Sequence, residues 1–274
     1  MKTILDTILD DVRGEVAAAK LLRSPADLRG MAADAAPPRD FHAALASSFG
    51  LIAEIKERSP SVGPMREENV REAASAYAES PVVRAVSVLT NQRHFGMDIA
   101  RLLAVRAAVP QPVLRKDFLL DEYQVREARA FGADAVLLMA NVLDAARLRG
   151  FYDLARELGM EVLFEVHTAG EIGSLPEDAR IAGINSRKFQ SQSGFVGPSE
   201  TSEKDFSLDT AVFSLAEKLP SGCLRVAESG ISPATLGRVR EDFQAALVGT
   251  SLLRDPRGLP ACLREFEEAA TGNL

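Results

Sequence analysis

Eight short apolar runs, separated mostly by stretches of helical periodicity, constrain this chain more than any other feature. The runs fall at residues 51–56, 82–89, 112–115, 135–139, 161–165, 180–184, 224–227 and 245–248. Most are continuous rather than alternating in polarity, which is the pattern of parallel strands covered on both faces. Between them, residues 67–78, 99–107, 122–131, 142–158 and 233–241 carry apolar side chains at helical spacing. Asp121 followed by Gln124 offers a capping-box variant at the start of the third helix. Eight strands with intervening helices favour a closed (β/α)8 TIM barrel over an open doubly wound sheet. The open sheet loses further ground because no Gly-x-Gly-x-x-Gly follows the first strand.

Such barrels commonly use about 250 residues as one domain, so the 274 residues are expected to form a single domain, 1–274. Within it, residues 1–48 form an N-terminal helical extension, with helices at 4–22 and around 41–47, and residues 49–274 form the barrel. The polar stretch 185–205, rich in Ser, Gln and Gly, interrupts the repeat. Connections of that length are usually functional lids or disordered insertions.

Charge and cysteine usage narrow the function classes. The formal net charge is -7 with no run of basic residues, so nothing supplies the electrostatic footprint of a nucleic-acid or membrane-surface partner. The N-terminus carries acids early and lacks a continuous apolar core, unlike a signal peptide. No stretch approaches the roughly 18 apolar residues of a membrane span. Cys223 and Cys262 match no metal or redox spacing and are expected to be inert thiols in a reducing, cytoplasmic compartment. His42, His94 and His167 show no metal-ligand spacing. No metal is expected, and His167 is expected at the surface.

In this fold the chemistry sits at the carboxyl ends of the strands. Strand one ends with Glu54 and Lys56, strand three with Lys116 and Asp117, and strand five with Glu165. Asn185 and Arg187 follow strand six, Glu228-Ser229-Gly230 strand seven, and Gly249-Thr250-Ser251 strand eight. Ions in a barrel mouth are costly unless paired or used. Glu54 and Lys56 are two apart and point the same way on a strand, either as a mutual ion pair or as working groups. Lysine is scarce here, which makes Lys56 and Lys116 conspicuous. Burial and neighbouring cations can lower a lysine pKa toward neutrality, although Lys116 could instead pair with Asp117. Glu165 follows Val162-Leu163-Phe164, an apolar setting expected to raise its pKa. The small-residue turns after strands seven and eight let backbone N–H groups approach a phosphate.

Several strings resemble those of indole-3-glycerol-phosphate synthases. They include Ala53-Glu54-Ile55-Lys56 with Ser59-Pro60-Ser61, and Pro112-Val113-Leu114-Arg115-Lys116-Asp117-Phe118. Further on come Glu165-Val166-His167, Gly183-Ile184-Asn185-Ser186-Arg187, Glu228-Ser229-Gly230-Ile231 and Val248-Gly249-Thr250-Ser251-Leu252. The likeness runs from about residue 50 to 255, and the N-terminal extension fits a family whose members carry one over the barrel mouth. The resemblance implies closure of the indole ring on a phosphorylated small-molecule substrate, with no cofactor. It implies Lys116 as general acid, Glu165 as general base, and Lys56, oriented by Glu54, as carboxylate anchor and second acid. Asn185 and Ser229 would position the substrate and intermediate. Ser59 and Arg187 resemble anion-binding residues, and Gly230, Gly249 and Thr250 would cradle the phosphate. Phe118, Leu137 and Leu247 would line the aryl pocket, with Glu228 as a further substrate contact. A monomer is expected, with weak association with other tryptophan-pathway enzymes as its one protein partnership.

Three departures from the family pattern stand out. An acid and two aromatics usually follow the Thr of strand two, whereas this chain has Asn91-Gln92-Arg93-His94-Phe95. Lys188-Phe189 replaces the common Asp-Leu, and 190–203 is a longer segment, expected to act as a lid. The rivals left open are another phosphate-binding barrel, such as phosphoribosylanthranilate isomerase, and a non-catalytic barrel that binds a phosphorylated metabolite. Isomerisation needs one acid and one base rather than two lysines plus extra carboxylates, and binding alone rarely demands a matched acid and base.

Overall fold

In the computed structural model, residues 3–187 and 209–272 are described. The expected lid at 190–203, like Lys188 and Phe189, lies outside the described residues.

Three helices precede the barrel: α1 (Ile4–Leu22), α2 (Pro25–Asp34) and α3 (Phe41–Ala46). The chain then runs β1 (Gly50–Ile55), a small antiparallel hairpin β2 (Arg58–Ser59) and β3 (Gly63–Pro64), α4 (Glu67–Glu79), β4 (Val83–Leu89), α5 (Gln92–Phe95) and α6 (Ile99–Ala108). It continues through β5 (Val113–Lys116), α7 (Glu122–Ala130), β6 (Ala135–Met139), α8 (Ala145–Glu157), β7 (Glu161–Val166), α9 (Ala169–Ile172) and β8 (Ile181–Asn185). A 3-10 helix (Thr210–Lys218), β9 (Leu224–Glu228), α10 (Pro233–Asp242), β10 (Ala245–Val248), α11 (Thr250–Leu253) and α12 (Leu259–Thr271) complete it.

Eight strands close in the order β1-β10-β9-β8-β7-β6-β5-β4, and β1 pairs with β4 in parallel to seal the ring. The expected (β/α)8 barrel is therefore present. Strands such as β6 and β7 are buried along their whole length, because one face meets the barrel interior and the other the helices. That double burial is why their sequences read as continuous apolar runs.

The Asp121–Gln124 capping box forms as expected. Helix α8 begins at Ala145 rather than 142, because the Asp144 side chain accepts the N–H of Arg147 at 2.9 Å and fixes the start there. Helix α2 was not anticipated. It buries only Leu28, so it has almost no apolar periodicity. Its signal was the cap: Ser24 and Asp27 close a reciprocal box, with Pro25 in the first turn.

The extension wraps the barrel rather than covering only its mouth. Helix α1 buries Leu5, Ile8, Val12 and Val16 along one stripe and reaches the rim beside α5. There Asp11 pairs with Arg93 at 2.7 Å and with His94 at 2.9 Å, while Asn91 donates to Glu15 at 3.0 Å. Helix α2 packs on α7. Arg39 then donates its backbone N–H to Asp134 and its guanidinium to the carbonyls of Val109 and Gln111. Helix α3 buries Phe41 and Leu45 against β4 and β9 at the amino end of the strands. Among the described residues no helix is long and apolar enough to cross a membrane.

Candidate active site

Parallel register brings the strand ends level. Glu165 stands beside Met139 and Gly183, Asn185 beside Glu228, and Lys116 beside Leu89. Their inward side chains surround a cavity of about 370 Å³ at the carboxyl end of the barrel. Every residue singled out in the sequence lines it: Glu54, Lys56, Ser59, Lys116, Phe118, Leu137, Glu165, Asn185, Arg187, Glu228, Ser229, Gly230, Leu247, Gly249 and Thr250.

Two ion pairs set the electrostatics. Lys56 Nζ lies 2.5 Å from Glu54 Oε1. Lys116 Nζ lies 3.4 Å from Glu165 Oε2 and 4.0 Å from Glu228 Oε2. All the carboxylates are buried, so each must be paired or neutral. Burial pushes the Lys116 amine down, but the charges of Glu165, Glu228 and Glu54 outweigh it and hold the ammonium above its ordinary pKa. The lowered lysine anticipated from burial is thus not what Lys116 shows, because three carboxylates face it and burial is not the net winner.

The expectation for Glu165 also fails. Burial raises its carboxyl, but the charges of Lys116 and then His167, with smaller help from Asn185 and Glu228, bring it below the ordinary value. Of the apolar run that prompted the expectation, Val162 and Phe164 point elsewhere, and only Leu163 shares the face of Glu165. Strand side chains alternate, and Phe164 packs on Tyr152 of α8 with ring centroids 5.3 Å apart. Glu228 bears the cost instead: burial, then the Glu165 charge, raise its pKa well above the carboxylate range. Glu54 is pushed up by burial and pulled below its usual value by Lys56 and Lys116.

Close packing around these acids depends on two glycines. A Cβ on Gly183 would overlap the Glu228 carboxylate, and one on Gly249 would overlap the Glu54 carboxylate. The turns after β9 and β10 are built differently. Ser229 has φ 68°, rare for a residue with a side chain, and Gly230 follows at φ 67°. Ser251 donates its hydroxyl to Ile231 O at 2.6 Å, which ties the turn after β9 to the one after β10. Asn185 accepts the Arg187 N–H at 3.0 Å. The Arg187 guanidinium is largely buried, which lowers its proton affinity against the opposing pull of Glu54. Phe118 and Phe95 form a tilted pair, with centroids 6.4 Å apart, on the apolar side.

Asp117 does not pair with Lys116. It accepts from Thr90 at 2.6 Å and meets Arg115 at 3.3 Å, while Arg115 also reaches Glu127 at 3.0 Å. This buried network behind β5 fixes the Lys116–Phe118 corner, since Asp117 also accepts the Phe118 N–H. Sequence reasoning gave Arg115 no role, although a charge inside an apolar strand was its signal. His167 was placed at the surface, but its side chain is only 9% exposed, with Nε2 3.4 Å from Glu165 Oε1. The period-two alternation that aims Glu165 inward aims His167 toward the same side, and that signal was available. Among the described residues no cluster of three His, Cys, Asp or Glu side chains is arranged for a metal.

Solved structures similar to this one include 3-hexulose-6-phosphate synthase from Salmonella typhimurium, with a TM-score of 0.58, 13% identity, and 83% of this chain and 100% of that one covered. N-(5'-phosphoribosyl)anthranilate isomerase from Pyrococcus furiosus matches with a TM-score of 0.54, 13% identity, and 81% and 99% of the two chains covered. At such identities they speak for the barrel alone. Sequence relatives are nearer. The indole-3-glycerol phosphate synthase of Nocardioides sp. (strain ATCC BAA-499 / JS614) is 42% identical over 262 residues, covering 92% of this chain and 94% of the relative. That of Kineococcus radiotolerans is 40% identical over 267 residues, covering 93% and 92%. The family model described as indole-3-glycerol phosphate synthase matches residues 5–259, and this chain belongs to that family.

Proposed function

We propose that this protein converts 1-(2-carboxyphenylamino)-1-deoxyribulose 5-phosphate into indole-3-glycerol phosphate, carbon dioxide and water. The observation that carries the reading is the pair Lys116–Glu165, 3.4 Å apart in one cavity with the second pair Lys56–Glu54. Ring closure needs an acid for the alkoxide formed when an aromatic carbon attacks the ketone. Lys116, kept protonated by its carboxylate neighbours, is that acid. Decarboxylation then needs no electron sink beyond the iminium already formed, so the route draws on no bound cofactor. Dehydration needs a base for the C–H proton and an acid for the departing hydroxide, roles that fall to Glu165 and a lysine.

Glu54, 2.5 Å from the Lys56 amine, holds Lys56 aimed at the substrate carboxylate. Glu228, which lines the same cavity, is a further substrate contact. Asn185 and Ser229 position the intermediate, and Arg187 and Ser59 meet anionic groups. Gly230, Gly249 and Thr250 present backbone donors to the phosphate, while Phe118, Leu137 and Leu247 enclose the aryl ring. Fixed charges and enforced proximity supply most of the acceleration. The same reading takes the protein as a cytoplasmic monomer, in keeping with its acidic charge and its two free, buried cysteines.

Mixing purified protein with the carboxyphenylamino-ribulose phosphate should produce indole fluorescence. Lys116→Ala should lower turnover by about a hundredfold or more, the scale of a lost general acid. No fluorescence from the native protein, or consumption of phosphoribosylanthranilate instead, would overturn the reading.

A further inference from the structure

Between β5 and α7 the chain leaves the sheet while still inside the protein. Phe118 and Leu119 are buried, yet residues 117–121 belong to neither strand nor helix, so no ladder satisfies their backbone. A buried N–H or C=O must then find a partner elsewhere, and here side chains supply it. Asp117 Oδ1 accepts the Phe118 N–H at 2.9 Å, and Arg147 donates to the Leu120 carbonyl. Gln124, itself buried, does more. Its Oε1 accepts the N–H of Leu120 at 2.7 Å and of Asp121 at 3.2 Å, while its Nε2 donates to the Phe118 carbonyl at 3.1 Å. Two N–H groups at one end and a carbonyl at the other leave the amide a single orientation.

The bond from the Asp121 N–H completes the capping box of α7. The bond from Nε2 has no part in a cap. It reaches back past the helix start to Phe118, whose ring lines the cavity and tilts against Phe95 with centroids 6.4 Å apart. Gln124 is in turn held from the strand, since Arg115 donates to its carbonyl at 2.8 Å and meets Glu127 Oε2 at 3.0 Å. Strand end and first helical turn are thus tied in both directions around the Lys116–Phe118 corner. Lys116 depends on this less, because it is the last residue of β5 and pairs with Leu89 in the ladder. Phe118, two residues beyond, is past the ladder.

We propose that Gln124 is a positioning residue for the aryl pocket: its Nε2–H, bonded to the Phe118 carbonyl, takes the place of a strand partner and sets where the Phe118 ring stands against the substrate. The inference rests on the ring-closing reading, in which Phe118 encloses the aryl ring. A residue with an acceptor alone would cap α7 equally well, so it is the carbonyl of Phe118 that calls for an amide here. Loss of the donor leaves that carbonyl unpaired or facing another oxygen, which is costly in a buried place. The corner relieves the cost by turning, and the ring moves with it. The ring meets the substrate before and during the reaction alike, so its displacement weakens binding rather than the chemical step.

Gln124→Glu separates the two roles of the amide. Glutamate is a usual partner in a capping box, so the cap survives while the donor to Phe118 is lost. Steady-state kinetics by indole fluorescence should show KM raised about five- to tenfold, the scale of one aromatic contact, with kcat within about twofold of native. Gln124→Met, of similar length and uncharged, drops the same donor and should move KM the same way, which keeps the test open if a buried glutamate prevents folding. In a Phe118→Leu background either substitution should change KM by less than about twofold, because the ring through which Gln124 acts is gone. Damage to the fold at large would instead add in both backgrounds. The proposal is overturned by KM within about twofold of native for both variants, by kcat falling as far as KM rises, or by an undiminished effect in the Phe118→Leu background. Failure of the native protein to make the indole product would sink the functional reading instead, so the two are told apart.

Discussion

Replacing Gly249 with alanine tests whether the barrel mouth is built around its carboxylates. The new Cβ would stand 3.1 Å from both Cβ and Cδ of Glu54 and would overlap Oε1. Glu54 has little freedom to move aside, since Oε1 is held by Lys56 at 2.5 Å and the side chain is buried. The backbone is equally fixed, because Ala53 pairs with Val248 in the β1–β10 ladder. Either the strands part or the ion pair turns away. Overpacking of this kind costs about 1–3 kcal/mol, and in a chain of this size each kcal/mol lowers Tm by roughly 2–4 °C. A Tm loss of about 2–12 °C is expected. Activity should suffer more, because a displacement of about 1 Å at a positioned group can cost on the order of a hundredfold. Thermal melts followed by circular dichroism and the indole fluorescence assay read the two effects. Gly150→Ala is the control: it lies in α8 with nothing within 4 Å of the added methyl, so it should be neutral or stabilising by up to about 1 kcal/mol. Shortening the acid should relieve the clash, so the stability costs of Gly249→Ala and Glu54→Asp should combine less than additively, by about 0.5 kcal/mol or more. A Gly249→Ala variant with Tm within about 1 °C and kcat/KM within about twofold of native would refute the reasoning.

Two further outcomes follow from protonation. Glu228 has a raised pKa in the folded protein, so its contribution to stability is complete below the ordinary carboxylate pKa and is lost as pH rises through the folded value. Glu228→Gln removes that loss and should gain stability over native between about pH 4 and neutrality, each tenfold in proton affinity being worth about 1.4 kcal/mol. Parallel urea-denaturation profiles across that range would contradict it. Burial pushes the Cys223 and Cys262 thiols up to about 12, so a thiol reagent at pH 8 should label the native protein slowly and both thiols promptly in urea; fast labelling without denaturant would show the burial to be wrong.

The barrel was legible because parallel strands covered on both faces must be apolar throughout, and each one followed by a helix leaves few other ways to bury them. The site was legible because Glu54, Lys56, Lys116 and Glu165 interrupt those runs at one end, where an ion has to be paired or used. Less visible were the effects set by neighbours distant in sequence. Glu165 was judged by the residues beside it in the chain, yet its proton affinity is set by Lys116 across the barrel and His167 behind it. Glu228 is pushed up by its burial and by the charge of Glu165 two strands away, which no local pattern encodes. Helix α2 escaped notice for the opposite reason, since its Ser24–Asp27 cap is local but it offers almost no buried stripe to accompany it.

The rim contact of α1 has a consequence for how such chains can be recombined. Asp11 and Glu15 meet Arg93, His94 and Asn91, the same turn that departs from the family's usual acid-and-aromatic run. Glu15 is already pushed up by burial and by Asp117 and Asp11, against the opposing pull of Arg93, so an acid grafted at 91 would add a further carboxylate beside it. The first helix and the turn after β4 are two halves of one lock, and they can be exchanged with a relative only as a matched set.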